Sequence, residues 1–384
     1  MKLEPEQESI LRGEQGQALA RALRTLVAYG EAFGAKRLLP IKSGHLAGSF
    51  GAFIFRAYYK ILEQLVADGV RVKVPTTVNP RPGRDLNLIN RITFRRQNFL
   101  EKSFAALGVT PNYSCVCYDR ENIPGRGDIL GWAESSAVQF ANSVLGARTN
   151  RNSVLIDLCS ALTGYTPEFG YLLDQNRRGQ VLVKLQIEKM DANALGFVIG
   201  HKVVDGVPVL ENYPFSRVEL KNLGGSMAAA GGVALFHVEG LTPEAPDLKS
   251  VFDGEPRQTI TVTQQDLDAI RAPDPGRAAM VVFGCPQMTF EEAMELAPWF
   301  AGRRVNKPVW FCMVPDSLER FRKTEPYQKV VAAGVELNTY CPLAALTVRP
   351  GKIVLTSSGK CYYYLADTIY GTREDCLKGC GVKP

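Results

Sequence analysis

The chain has 384 residues, 46% of them hydrophobic and 22% charged, a length that needs more than one hydrophobic core and a composition unlike that of a disordered chain. Its 45 basic and 39 acidic residues leave a net charge of +6. The tightest basic group, Arg81, Arg84, Arg91, Arg95 and Arg96, comes with no recognisable nucleic-acid motif, so no nucleic-acid partner is expected.

The amino terminus, Met1 to Glu6, lacks the apolar stretch of a secretory signal, and the run from Met227 to Val238 is too short and glycine-rich to span a bilayer. A cytoplasmic protein without membrane association is the expectation. In that reducing compartment the nine cysteines read as core residues, metal ligands or nucleophiles rather than as disulfides.

In chain order, Leu19, Leu23, Leu26 and Val27 have helical spacing, and this first helix is expected to end near Gly30 or Gly34. A glycine-rich turn at Gly44 to Gly51 carries His45 and precedes a second helix, Phe53 to Ala67. Val70 to Val74 reads as a strand and Pro75 to Gly83 as a loop. The small residues from Leu223 to Gly240 suggest a close-packed connector. No internal repeat or polar linker stands out, and the chain divides loosely into 1–222 and 223–384.

The carboxy-terminal third is more legible. Ala278 to Phe283 is an apolar strand, Thr289 and Glu292 have capping-box spacing for a helix to Phe300, and Pro308 to Val314 is a second strand. Ser317 is positioned to cap a helix to about Ala333, and Val335 to Tyr340 is a third strand. This βαβαβ pattern predicts an α/β fold with a parallel sheet, whose ligands bind beyond the carboxyl ends of its strands. Cys285 and Cys341 fall at such ends and are candidate metal ligands, whereas Cys312 lies inside a strand and reads as core. Cys115 and Cys117 form a CxC in a loop-like stretch, and no CxxC pairing supports a zinc ribbon.

The segment Trp132-Ala133-Glu134-Ser135-Ser136-Ala137-Val138, followed by Asn142 to Arg151, is dense in polar residues that would be costly to bury without a ligand or a network. Together with Ser43 to Gly48, Val74 to Pro80, Glu219 to Gly224, Ala234 to Ala245, Gly284-Cys285-Pro286 and Thr356 to Lys360, it resembles the aconitase X family over nearly the whole chain.

The resemblance implies an aconitase-superfamily-like large subunit, with several α/β subdomains around a metal cleft. It implies a hydro-lyase that dehydrates a small hydroxy-carboxylate on an iron centre held by Cys115, Cys285 and Cys341, either an iron–sulfur cluster or mononuclear iron. A small swivelling domain, which contributes a serine to the family's active site, is expected on a separate partner subunit. Gln287 stands where the family usually has histidine, Thr339-Tyr340 where it has Asp-Thr, and Cys117 where proline is common, so Cys117 is the alternative to Cys115 as ligand.

His45, Glu134 and Ser135 are the catalytic candidates. Arg148 is expected to clamp the substrate carboxylate, since a guanidinium is a two-pronged donor. Lys360, Thr77, Asn79, Ser136 and Asn150 are further candidate substrate contacts. His237 reads as a core histidine and His201 as a surface one. The resemblance implies two candidate activities, dehydration of cis-3-hydroxy-L-proline, typical of bacterial members, and of mevalonate 5-phosphate, typical of archaeal ones; an alanine-, arginine- and glycine-rich composition looks bacterial and ranks the hydroxyproline reaction first. The altered residues beside two ligand positions leave a silent regulatory paralogue as the reading from another class.

Overall fold

The structure is a computed structural model that describes residues 1–49, 55–204, 206–346 and 351–381. The first region holds β1 (Leu38–Pro40), β2 (Ser43–Leu46), β3 (Thr76–Val78), β4 (Leu130–Trp132) and β5 (Tyr165–Pro167). β1 pairs antiparallel with β5, and β3, β2 and β4 form a parallel three-stranded sheet in that order. Helices pack against these strands through Leu23, Leu26, Tyr59, Leu62, Leu100 and Leu107. A Cβ on Gly44 would meet Thr76 Oγ1 at 2.9 Å and Ala161 at 3.1 Å, so β2 accepts only glycine where strand and helix press on it.

The second region is a parallel sheet of β6 (Val181–Gln186), β7 (Pro208–Leu210), β8 (His237–Val238) and β9 (Gln258–Thr263), ordered β8-β7-β6-β9. Beside it, the helices Ala192–Lys202 and Arg217–Gly231 touch backbone to backbone: a Cβ on Gly196 would lie 2.1 Å from the Leu223 carbonyl oxygen. Small residues permit that approach, but they belong to a capped helix, not to a connector. Ser216 and Glu219 form its capping box, and the division after residue 222 falls inside it.

The third region is a five-stranded parallel sheet of β10 (Met280–Met288), β11 (Val309–Met313), β12 (Glu336–Asn338), β13 (Val354–Thr356) and β14 (Thr368–Tyr370), ordered β12-β11-β10-β13-β14. Its core sets Phe283, Phe300, Phe311 and Phe321 among aliphatic residues such as Val281, Leu296, Val309 and Leu355. The expected βαβαβ unit is present, with the Thr289–Glu292 capping box opening the helix Phe290–Phe300.

Several local expectations are corrected. The strand placed at Val70 to Val74 forms instead at Thr76–Val78, where Thr76, Thr77 and Val78 pair with Gly44, His45 and Leu46. His45 is therefore in a strand, not a glycine-flanked loop. The second helix is described from Arg56 to Ala67; its expected start at Phe53 lies outside the described residues. The helix expected from Ser317 is two helices, Pro315–Phe321 and Glu325–Ala332. Pro315 at the first turn starts one and Thr324 caps the other, while Ser317 is buried within the first. Among the described residues no helix is long and apolar enough to cross a membrane.

Candidate functional site

The carboxyl ends of β2, β3 and β4 bring His45, Thr77 and Trp132 side by side, since His45 is in register with both Thr77 and Trp132. Two residues past Trp132, Glu134 caps the helix Ser135–Ser143, its Oε2 accepting from the Ala137 N–H at 2.6 Å. Its other oxygen takes a bond from the third region: Lys360 Nζ donates to Glu134 Oε1 at 2.5 Å, to Ser136 Oγ at 2.6 Å and to Ser135 Oγ at 3.3 Å. Lys360 lies in the helix Gly359–Tyr364 just beyond β13, capped by Ser358, whose hydroxyl also donates to the Cys285 carbonyl. The ion pair thus joins the carboxyl ends of two parallel sheets.

Lys360 and Glu134 are only 7% and 6% exposed at their side chains. Burial pulls the ammonium's pKa down, but the Glu134 carboxylate and the nearby thiols of Cys285 and Cys115 outweigh it and hold Lys360 above its ordinary value. The pair sits on the wall of an open cavity of about 420 Å³ that Asn79, Ala133, Ser135, Leu343 and Tyr364 also line.

His45 is fully buried and is not among the residues lining this cavity. Burial depresses it to about 4, against smaller upward pulls from Asn79 and Glu134, so its ring is neutral at pH 7. Asn122 Nδ2 donates to Thr77 Oγ1 at 3.0 Å, His45 Nδ1 meets Thr77 Oγ1 at 2.8 Å, and His45 Nε2 meets Asn79 Oδ1 at 2.8 Å. With the Nε2–H tautomer every partner is satisfied, and the histidine orients the Asn79 amide at the cavity edge. Asn122, absent from the sequence-derived candidates, completes this chain; a lone asparagine in a loop gave no signal.

Cys285 follows the regular part of β10, whose register with β11 breaks after Phe283. Cys341 lies three residues past β12, its N–H bonded to the Arg81 carbonyl at 2.8 Å. Burial raises the pKa of all three candidate ligand thiols, Cys115 to about 12, while Lys360 pulls each of them down. Gln287, two residues past Cys285, accepts the Cys115 N–H and donates to the Thr339 carbonyl, two residues before Cys341, so the segments that carry the three thiols meet in one region. Among the described residues, however, no three His, Cys, Asp or Glu side chains are gathered closely enough to hold a metal ion. The donor set fits a soft, thiolate-bound metal in its chemistry. Cys117 is fully buried core beneath the same loop, and Cys312 is core as expected.

Arg148 and Asn150 are elsewhere. Arg148 pairs with Asp174 at 2.5 Å, donates to the Leu172 carbonyl at 3.0 Å and faces a separate cavity with Arg126 and Arg178. Asn150 ties down a loop through the Phe169 carbonyl and the Tyr171 N–H. His237 is buried against the Arg177 carbonyl, and His201 is exposed.

Residues 1–175, 179–272 and 278–380 match, in turn, the aconitase X first, second and third domains. The chain belongs to the aconitase X family. This aconitase X chain is 38% identical to the phosphomevalonate dehydratase large subunit of Thermococcus kodakarensis, over 98% of this chain and 97% of that one. It is 34% identical to the large subunit of the same name from Methanosarcina mazei, over 98% and 96%. The cis-3-hydroxy-L-proline dehydratase of Pseudomonas aeruginosa is 30% identical over 99% of this chain and 69% of its own length. A crystal structure of Thermococcus kodakaraensis aconitase X in its holo form superposes with a TM-score of 0.88 at 31% identity, covering 98% of this chain and 99% of that one. The aconitase X chain is accordingly a dehydratase, a carbon–oxygen hydro-lyase, with the family's α/β fold.

Proposed function

We propose that this chain is the large subunit of a two-subunit dehydratase that removes water from a β-hydroxy-carboxylate. The observation that carries the reading is the buried Lys360 ammonium, held charged by Glu134 beside two serine hydroxyls on the wall of an open cavity. The ammonium's three N–H groups are taken by Glu134, Ser136 and Ser135, so the substrate carboxylate meets the Ser135 hydroxyl at the cavity wall, and the fixed charge behind it favours the negative charge that develops as the α-proton leaves. Asn79, oriented by His45, and Ser135 supply polar contacts on the same wall.

Both Glu134 oxygens are engaged, by Lys360 and by the Ala137 N–H, which suits holding the lysine rather than abstracting a proton. We place the proton acceptor on a small swivelling partner subunit, a reading supported by relatives that are named large subunits. Cys115, Cys285 and Cys341 would hold iron, as a cluster or a single ion, which supplies Lewis acidity toward the departing hydroxyl. We place the enzyme in the cytoplasm.

Mevalonate 5-phosphate and cis-3-hydroxy-L-proline both carry a hydroxyl β to a carboxylate and lose the same two groups. We rank mevalonate 5-phosphate first, reversing the order that composition suggested, because the large subunits of that name match along nearly their whole lengths at 34% and 38% identity. The hydroxyproline reading is supported by the Pseudomonas relative. The test is anaerobic reconstitution with iron and the cognate small subunit, following the unsaturated carboxylate formed from each substrate. Turnover of mevalonate 5-phosphate is expected; turnover of hydroxyproline alone reverses the ranking, and turnover of neither, by an iron-loaded complex, sinks the reading.

A further inference from the structure

Gln287 is 1% exposed, and all four of its polar groups are engaged. Its side-chain Oε1 accepts the Cys115 N–H at 3.2 Å, and its Nε2 donates to the Thr339 carbonyl at 2.9 Å, two residues before Cys341. Its backbone N–H donates to Cys115 Sγ at 3.3 Å, and its carbonyl accepts from Lys221 Nζ at 3.0 Å. Lys221 is itself buried and paired with Glu292, the residue that closes the capping box with Thr289. A buried primary amide that spends its donor on one segment and its acceptor on another fixes their separation, because breaking either bond strands a polar group.

We propose that Gln287 is a positioning residue, a clasp that sets the spacing between the Cys115 loop and the approach to Cys341 before any metal enters. The inference rests on the reading of Cys115, Cys285 and Cys341 as the metal site. The chain from Glu292 through Lys221 to Gln287 anchors the clasp to a capped helix of the third region, so the Cys115 loop of the first region is tied to the segments that carry the two other cysteines. Cys285 needs no clasp of this kind: it is two residues from Gln287 on the same strand, and its carbonyl is fastened by Ser358.

The experiment is amide hydrogen exchange on the full chain, metal-free, for the native protein, Gln287→Leu and Gln287→Glu. Leucine removes donor and acceptor together; exchange should quicken in both 112–116 and 339–341, by about tenfold, the size one buried hydrogen bond supports. Glutamate keeps an acceptor for the Cys115 N–H and loses the donor to Thr339, so 339–341 should loosen while 112–116 stays protected. β11, at Val309–Met313, should be unchanged in both. If the leucine variant does not fold, the glutamate variant alone decides by this asymmetry. Unchanged exchange in both segments, or an equal rise in β11, overturns the clasp. Failure of the native chain to bind iron would instead count against the functional reading, since the exchange measurement uses neither metal nor substrate.

Discussion

Replacing Lys360 by methionine removes the cation from a carboxylate that is 6% exposed and leaves its hydrocarbon stem. Breaking one side of a buried ion pair typically costs about 3–5 kcal/mol, because the remaining charge is stranded. Here Glu134 keeps the Ala137 N–H on Oε2, so the loss should fall at the lower end, about 3 kcal/mol. The double variant Lys360→Met with Glu134→Gln removes the stranded charge and keeps that cap, and it should be more stable than Lys360→Met alone.

Unfolding midpoints of the metal-free chain at pH 7 measure the cycle, and turnover of the reconstituted enzyme measures function. Because Lys360 is raised in the fold, the stability it contributes is fully present below the unfolded lysine value of about 10.4 and is lost only as pH rises above it, so the pair in the native chain should persist unchanged between pH 6 and 9. A Lys360→Met protein as stable as the native chain, with unimpaired turnover, would refute both the buried pair and the substrate-carboxylate role.

Other expectations follow from the same geometry. His45 is lowered to about 4, so its contribution is present above the unfolded value of about 6.5 and is lost as pH falls toward 4, by about 3 kcal/mol in full; in His45→Gln the acid-side loss of stability should be shallower. Asp157 is fully buried, with Oδ2 unpartnered, and burial raises it to about 8. Its contribution is present at low pH and lost as pH rises through 8, so Asp157→Asn should gain stability relative to the native chain between pH 6 and 9 in thermal melts. Serine at Cys285 or Cys341 should abolish iron binding after anaerobic loading while Cys312→Ser retains it, and full retention in the first two would remove the ligand assignment. Arg148→Lys, at a half-buried ion pair with an exposed aspartate, should cost about 1 kcal/mol or less and lower turnover less than Lys360→Met does.

Much of the third region was legible because local rules agree there: the apolar strands and the Thr289–Glu292 box both point to one βαβαβ unit. Short strands were less so. Thr76–Val78 is three residues long and looks like a loop until β2 pairs with it, since a strand of that length takes its identity from its neighbour. For the same reason His45 was placed in a turn.

The sequence by itself determined the residue types of the site and the family to which they belong. Only the tertiary structure decided which of them meet. Lys360 and Glu134 are 226 residues apart and pair because two sheets turn their carboxyl ends to each other. Arg148, only 14 positions beyond Glu134, points into another cavity because Asp174 and the Leu172 carbonyl hold it there. Gln287 looked like a departure from a pattern, and the structure gives it four hydrogen bonds to three residues in separate segments, Cys115, Thr339 and Lys221. Side-chain chemistry is written locally, whereas the desolvation and pairing that make a lysine, a histidine or an amide functional depend on packing between residues remote in sequence.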